Sequence, residues 1–149
     1  MILNRQRSVR VARRPLESFL RRVQGQLGLQ EAGVTICLVS DAEIARMNEA
    51  FRKKKGPTDV LSFPSVARRR PVPLRRNSNK GKIGEYLGDV AISPATARRY
   101  AKKSGRKLPS ELRVLILHGV LHLLGYDHET DRGQMDRVER KLRKRLGLA

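Results

Sequence analysis

Residues 109–128 read PSELRVLILHGVLHLLGYDH, and this stretch decides both the fold and the chemistry that the sequence predicts. Pro109 and Ser110 are typical of a helix start, and apolar residues then recur around nearly the whole circumference of the helix. A helix that is apolar on almost every side belongs in the interior of a protein. The sequence therefore predicts a central, buried helix that carries two histidines on one stripe.

The segments on either side of this helix alternate between strand and helix patterns. Apolar, β-branched runs predict strands at 34–39, 59–63 and 87–92, and a less distinct run predicts a short first strand at 8–12. Helical spacing of apolar residues predicts helices at 16–27, 41–51, 94–103 and 131–146, the second of them with Phe51 on its apolar face. We therefore expect a small mixed sheet packed against helices, of class α+β or α/β, in one domain spanning residues 1–149.

The charge balance indicates a polyanionic partner. The chain has 33 Lys and Arg against 14 Asp and Glu, which gives a net charge of +19. So many positive charges repel one another in the folded protein and lower its stability. Binding to a nucleic acid would explain why the chain has them. Residues 67–84 add a basic, proline-containing segment without acidic residues, which predicts a loop insertion that either binds the same partner or has no role.

Other features of the composition predict a cytoplasmic protein that does not contact a membrane. The sequence has no apolar stretch long enough to cross a bilayer, and its first residues lack the apolar core of a secretory signal. The single cysteine, Cys37, allows no internal disulfide. Because Cys37 lies in an apolar run, we expect a small core residue rather than a nucleophile.

The three histidines of the chain all lie in one motif, as His118, His122 and His128. The first two are four residues apart and share one helix face, and Gly125 lets the chain leave the helix so that His128 can fold back. Three imidazoles would then hold one zinc ion and leave a fourth position open, as in catalytic rather than structural zinc sites. The alternative is a histidine pair on the surface or in the core, but the third histidine favours the metal.

A zinc ion held in this way favours hydrolysis. The lack of a glutamate next to the first histidine argues against a peptide as the substrate. Peptidases with a His-Glu-x-x-His motif use the glutamate as general base, and here Gly119 occupies that position. Phosphodiester cleavage depends more on cations that stabilise charge on phosphate oxygens, which this basic chain supplies. Asp127 could be a base, a partner of a zinc ligand or a turn residue, and Tyr126 is expected to pack rather than to act as an acid.

The histidine motif resembles the signature of the YbeY family of bacterial endoribonucleases and rRNA maturation factors. Two further blocks carry the resemblance in the order of the family, and Met135 also fits. They are Asn48-Glu-Ala-Phe-Arg52 with Pro57-Thr-Asp-Val-Leu-Ser-Phe-Pro64, and Leu87-Gly-Asp-Val-Ala-Ile-Ser93. The resemblance implies an α+β fold with a small mixed sheet and a zincin-like, metallohydrolase architecture. The basic segment at 67–84 departs from the family, whose members usually have a shorter and often acidic segment there.

The resemblance also implies a function and a set of site residues. His118, His122 and His128 would be the ligands of one Zn²⁺ ion, and Arg52 would be the essential arginine that grips a phosphate or steadies the transition state. The expected activity is cleavage of single-stranded RNA in the maturation of the 16S rRNA 3′ end and in ribosome quality control, with the small ribosomal subunit as partner. Two alternatives stay open, an rRNA-binding assembly factor with little catalysis and a metallopeptidase-like hydrolase.

Overall fold

The computed structural model describes residues 1–65, 85–127 and 129–148. The predicted basic loop at 67–84 and the predicted zinc ligand His128 lie outside the described residues.

In the described residues, four strands form one mixed sheet in the order β1-β2-β4-β3. The strands are β1 (Ile2–Asn4), β2 (Gly33–Leu38), β3 (Val60–Pro64) and β4 (Tyr86–Ile92). The pairs β1–β2 and β2–β4 are parallel, whereas β3 runs antiparallel to β4 and forms one edge of the sheet. The predicted strands at 34–39, 59–63 and 87–92 are thereby confirmed to within a residue or two.

The predicted first strand at 8–12 is wrong, because the chain begins with a strand at Ile2–Asn4 instead. Within the segment at 8–12, both backbone groups of Val9 form hydrogen bonds with the side chain of Gln6. The N–H of Val9 donates to Oε1 of Gln6 over 3.0 Å, and Nε2 of Gln6 donates to the carbonyl of Val9 over 2.9 Å. Val9 is buried at this turn, so its apolar character reflects packing and not strand pairing.

Five helices of the described part of the chain pack around the sheet. They are α1 (Arg13–Gln26), α2 (Asp41–Arg52), α3 (Pro94–Ser104), α4 (Leu108–Leu123) and α5 (Gln134–Arg145). Helix α4 is the predicted central helix, and its residues from Leu112 to Leu123 are buried apart from the partly exposed Arg113, His118 and His122. Among the described residues, no helix is long and apolar enough to cross a membrane.

The two faces of the sheet have different coverings. Ile36, Val90 and Ile92 belong to the main core, together with apolar residues of α1, α4 and α5. On the opposite face a smaller cluster joins Leu61 and Ala91 to Ile44 of α2, with Cys37, Met47 and Phe63 partly buried against it. Cys37 therefore packs at the edge of a core, and burial together with the charge of Asp89 raises the pKa of its thiol. A raised pKa disfavours the reactive thiolate form, in agreement with a packing role for Cys37.

Helix α2 begins as predicted, but its apolar face ends early. The hydroxyl of Ser40 accepts the N–H of Glu43 over 3.1 Å and so caps the N-terminus of the helix. Ile44 is buried and Met47 is partly buried, whereas Phe51 has 69% of its surface exposed. The prediction that Phe51 faces the core is therefore wrong, because its ring contacts Phe63 of β3 on one side and is otherwise left largely exposed.

The N-termini of α2 and α3 are tied together by one carboxylate. Oδ1 of Asp41 accepts hydrogen bonds from the hydroxyls of Ser93 and Thr96, each over 2.6 Å. Its Oδ2 accepts one from Nη1 of Arg99 over 2.9 Å. Burial opposes the charge of Asp41, but these hydrogen bonds and the Arg99 charge outweigh it and lower the pKa of the carboxyl. The link fixes the start of α2, the helix that carries Arg52 at its other end.

Candidate metal centre

Helix α4 brings two of the three predicted zinc ligands together. The Nε2 atoms of His118 and His122 lie 3.0 Å apart, and the ring centroids are separated by 4.6 Å. A tetrahedral zinc ion with Zn–N bonds of about 2.0–2.1 Å requires ligand nitrogens about 3.3 Å apart. The histidine pair is therefore close to the spacing of two ligands on one metal ion.

The third predicted ligand, His128, lies outside the described residues, and its role stays a prediction. Within residues 1–65, 85–127 and 129–148, no three His, Cys, Asp or Glu side chains converge in a way that could hold a metal. The described part of the chain thus supplies two imidazoles of suitable spacing, and a third ligand has to be added to complete a catalytic zinc site.

A carboxylate of α5 lies beside the first histidine. Oε1 of Glu139 lies 3.5 Å from Nδ1 of His118 and 3.8 Å from Nη2 of Arg143. Burial raises the pKa of Glu139, but the hydrogen bond from His118 and the charges of His118, Arg143 and His122 lower it by more. An ionised carboxylate at Nδ1 favours the tautomer with a proton on Nδ1, which leaves the lone pair of Nε2 for a metal.

Sequence reasoning missed Glu139, although one signal was available. The inner stripe of α5 consists of Met135, Val138, Leu142 and Leu146, and Glu139 lies among them rather than on the solvent face. An acidic residue on a buried stripe requires a partner. That partner comes from a different helix, and helical periodicity does not identify it.

The histidine pair opens into a large cleft that Arg52 also lines. The cleft has a volume of about 1110 Å³ and lies between the end of α2, the edge strand β3 and the end of α4. Besides Arg52, His118 and His122, its walls include Phe51 and Phe63. The structure thus brings together the three described members of the predicted site, which come from two helices.

Arg52 is held loosely enough to take a ligand. It is the last residue of α2, its side chain is 42% exposed, and its Nη2 lies 3.9 Å from Oε1 of the exposed Glu129. Exposed ion pairs of this kind contribute little free energy, about 0–1 kcal/mol, so a phosphate can displace Glu129 from the guanidinium. The chain after Arg52 is fastened by Asn48, whose Nδ2 donates to the carbonyl of Gly56 over 3.0 Å.

The segment after α4 leaves the helix as the sequence predicts. Gly125 has a φ of 96°, and its N–H donates to the carbonyl of His122 over 2.9 Å. Oδ1 of Asp127 accepts the N–H of Glu129 over 3.0 Å, and the carbonyl of Asp127 accepts the N–H of Asp131 over 3.0 Å. Of the three roles considered for Asp127, these bonds support the turn residue. Tyr126 packs partly buried against the main core, and burial raises the pKa of its hydroxyl, as expected of a packing residue.

Comparisons with known proteins agree with the resemblance found in the sequence. The model of one protein family, described as endoribonuclease YbeY, matches residues 1–147. An endoribonuclease YbeY of Solibacter usitatus is 44% identical over 137 residues, which cover 91% of this chain and 81% of the relative. One of Koribacter versatilis is 39% identical over 148 residues, which cover 99% of this chain and 86% of the relative.

A solved structure agrees with the fold. The solution structure of a Thermotoga maritima protein superposes with a TM-score of 0.63 at 25% sequence identity, over 98% of this chain and 89% of the other. The predicted α+β class with a small mixed sheet is thereby confirmed, and the zincin-like architecture is consistent with this neighbour.

Proposed function

Because the chain belongs to the YbeY family of endoribonucleases, we propose that it is a metal-dependent hydrolase that cleaves single-stranded RNA in the cleft between α2, β3 and α4. One observation carries the proposal: Arg52 and the histidine pair line the same cleft although 66 residues of sequence separate Arg52 from His118. A phosphate group and a metal ion can therefore be held side by side there.

In this proposal His118, His122 and His128 hold one Zn²⁺ ion. The spacing of the two described Nε2 atoms and the carboxylate on Nδ1 of His118 fit such an ion. When bound, zinc polarises a phosphoryl oxygen and lowers the pKa of a coordinated water to about 7. Glu139 keeps His118 in the ligating tautomer, so its contribution to cleavage is made through the histidine.

Arg52 binds the scissile phosphate. Its guanidinium presents paired N–H donors that match two phosphate oxygens. Charge that develops on these oxygens in the transition state strengthens the contact, so Arg52 contributes to the rate as well as to binding.

The biological setting proposed here follows from the family. The substrate is precursor rRNA, the reaction is maturation of the 16S rRNA 3′ end, and the partner is the small ribosomal subunit in the cytoplasm, where ribosomes are assembled. The net charge of +19 supports an RNA partner, since each neutralised phosphate releases a counterion.

Cleavage of a fluorescent single-stranded RNA by highly purified protein tests the proposal. We expect cleavage that stops on addition of a chelator and returns with Zn²⁺, and a His118→Ala variant that is inactive but folded. The same RNA as a perfect duplex should be cut far more slowly. RNA binding without cleavage in the zinc-loaded protein would instead favour an rRNA-binding assembly factor.

A further inference from the structure

Phe51 is an exposed aromatic ring in the wall of the cleft. With 69% of its surface exposed, it leaves in water a side chain that most proteins bury, and it precedes Arg52 directly in the sequence. Exposure of a large apolar ring inside a concave site is typical of a binding residue, because an occupant can recover the burial that folding left unused.

The ring of Phe51 packs against another aromatic ring of the protein. Phe63 of β3 packs against Phe51 edge-to-face, with ring centroids 4.9 Å apart and an interplanar angle of 69°. Phe63 is itself packed against the smaller core cluster, on the same side as Met47. Phe51 is therefore a supported surface rather than a loose side chain, and little conformational entropy is lost when a flat ligand covers it.

Aromatic residues are concentrated in this cleft. The chain has three Phe, three Tyr and no Trp, and Phe51, Phe63 and Tyr126 line the cleft together with Arg52. Four carboxylates, of Asp59, Asp89, Asp127 and Glu129, also line the cleft, so its positive charge is local and comes from Arg52 beside Phe51. An aromatic ring next to a cation is the combination that binds an unpaired nucleotide, because the base stacks on the ring and the backbone phosphate contacts the cation.

We propose that Phe51 is the stacking platform for one unpaired nucleobase, next to the phosphate that Arg52 holds. The inference rests on the proposed function of the cleft and adds a subsite to it. It also gives single-strand selectivity a physical origin, since the faces of a base within a duplex are covered by its neighbours and cannot reach Phe51. The adjacent guanidinium and the net charge of +19 favour a polyanion over an apolar protein segment as the occupant.

Base-specific fluorescence tests the subsite. The probe is a set of single-stranded RNAs that carry 2-aminopurine at successive positions, mixed with the zinc-loaded protein in a stopped-flow instrument and followed before cleavage proceeds. Stacking on an aromatic ring quenches 2-aminopurine, so we expect quenching at one position. Phe51→Ala should abolish that quenching and weaken binding about 5- to 150-fold, the range that corresponds to loss of one base–aromatic stack.

Three further variants separate stacking from other contacts. Phe51→Trp should keep both quenching and affinity, whereas Phe51→Leu, which is apolar but has no ring, should behave as Phe51→Ala does. Tyr100→Ala removes an aromatic ring that is 43% exposed on α3 and does not line the cleft, so it should match the wild type. The loss caused by Phe51→Ala should have the same factor at low and at high salt, because no charge changes.

The outcomes that overturn the inference differ from those that overturn the function. Wild-type affinity and quenching in Phe51→Ala would show that no base stacks on this ring, while cleavage by the wild type would still support the nuclease. Full affinity of Phe51→Leu would show an ordinary apolar contact instead of stacking. A wild-type protein that neither binds nor cuts single-stranded RNA would remove both proposals together.

Discussion

A methyl group added at Gly119 would lie 2.5 Å from Cγ1 of Val90, so α4 and β4 touch at a point where only glycine fits. The contact is fastened by the hydroxyl of Ser62, which donates to the carbonyl of Gly119 over 3.0 Å. Position 119 is the one that carries the glutamate in His-Glu-x-x-His peptidases. In this protein a glutamate at position 119 would be directed at the sheet. The close packing of α4 on β4 therefore explains why this position of the helix carries no carboxylate.

We expect Gly119→Ala to destabilise the protein, because the added methyl group forces α4 away from β4. Overpacking of this kind typically lowers the free energy of unfolding by about 1–3 kcal/mol, measurable by urea denaturation. The matched control is Gly25→Ala in α1, where an added Cβ meets nothing within 4 Å. There the gain in helix propensity should raise stability by about 0.5–1 kcal/mol. Equal effects of the two substitutions would contradict the close contact.

The sequence predicted those parts of the site that depend on local periodicity. The i, i+4 spacing of His118 and His122, the helix end at Gly125 and the strand preceding Pro64 all follow from short-range geometry. Glu139 could not be identified in this way, because its partner His118 is 21 residues away on another helix.

The errors have a similar origin. The side chain of Val9 is buried in the core, but its backbone forms hydrogen bonds with the Gln6 side chain instead of a neighbouring strand. Strand propensity does not distinguish a buried valine in a turn from one in a strand. Phe51 continues the apolar spacing of α2, but beyond Phe63 little of the protein covers its ring, and helical periodicity does not show how much of an apolar face is covered. Its exposure is the feature that suggests a ligand, so this mismatch between pattern and structure carries functional information.

The contact between Glu139 and His118 predicts an effect on metal affinity. Glu139→Gln keeps the shape of the side chain but removes the charge that fixes the tautomer of His118, and loss of such partners typically weakens metal binding about 10- to 100-fold. Competition with a chromophoric zinc chelator measures the change.

The control for Glu139→Gln is Asp136→Asn, which removes a carboxylate from the exposed side of the same helix. Asp136→Asn should leave zinc affinity close to that of the wild type. If both variants bind zinc as the wild type does, Glu139 has no role in orienting the ligand.

The carboxylate of Asp41 predicts a pH dependence of stability. The pKa of Asp41 is lowered in the folded protein, because the hydrogen bonds from Ser93, Thr96 and Arg99 outweigh the effect of burial. A group with a lowered folded pKa stabilises the protein above its unfolded pKa of about 3.9, and this contribution is lost as the pH falls through the folded value. Because a third of the Asp41 side chain is exposed and solvent screens its charge, Asp41→Asn should cost about 1 kcal/mol at pH 7 and progressively less below pH 4.

Loss of any negative charge from so basic a chain increases self-repulsion, so Asp41→Asn needs a charge-matched control. Glu49→Gln removes one exposed carboxylate from the same helix. Urea unfolding of both variants between pH 3 and pH 7 should show a pH-dependent difference for Asp41→Asn that is much larger than that for Glu49→Gln. Parallel curves would mean that only net charge matters.

Arg52 should affect both the salt dependence of RNA binding and the rate of cleavage. The slope of log affinity against log salt is about −0.7 per phosphate contact for a single strand, so Arg52→Ala should make the slope shallower by roughly that amount. Arg46→Ala removes an equal charge from an exposed position on the same helix that does not line the cleft.

The rate of cleavage separates the two arginines further. If Arg52 binds the scissile phosphate, cleavage at saturating RNA falls by orders of magnitude in Arg52→Ala and stays near wild type in Arg46→Ala. Arg52→Lys keeps the charge but loses the paired donors, so it should restore the salt slope and only part of the rate. Equal rates for Arg52→Ala and Arg46→Ala would show that the family arginine acts here only as one more positive charge.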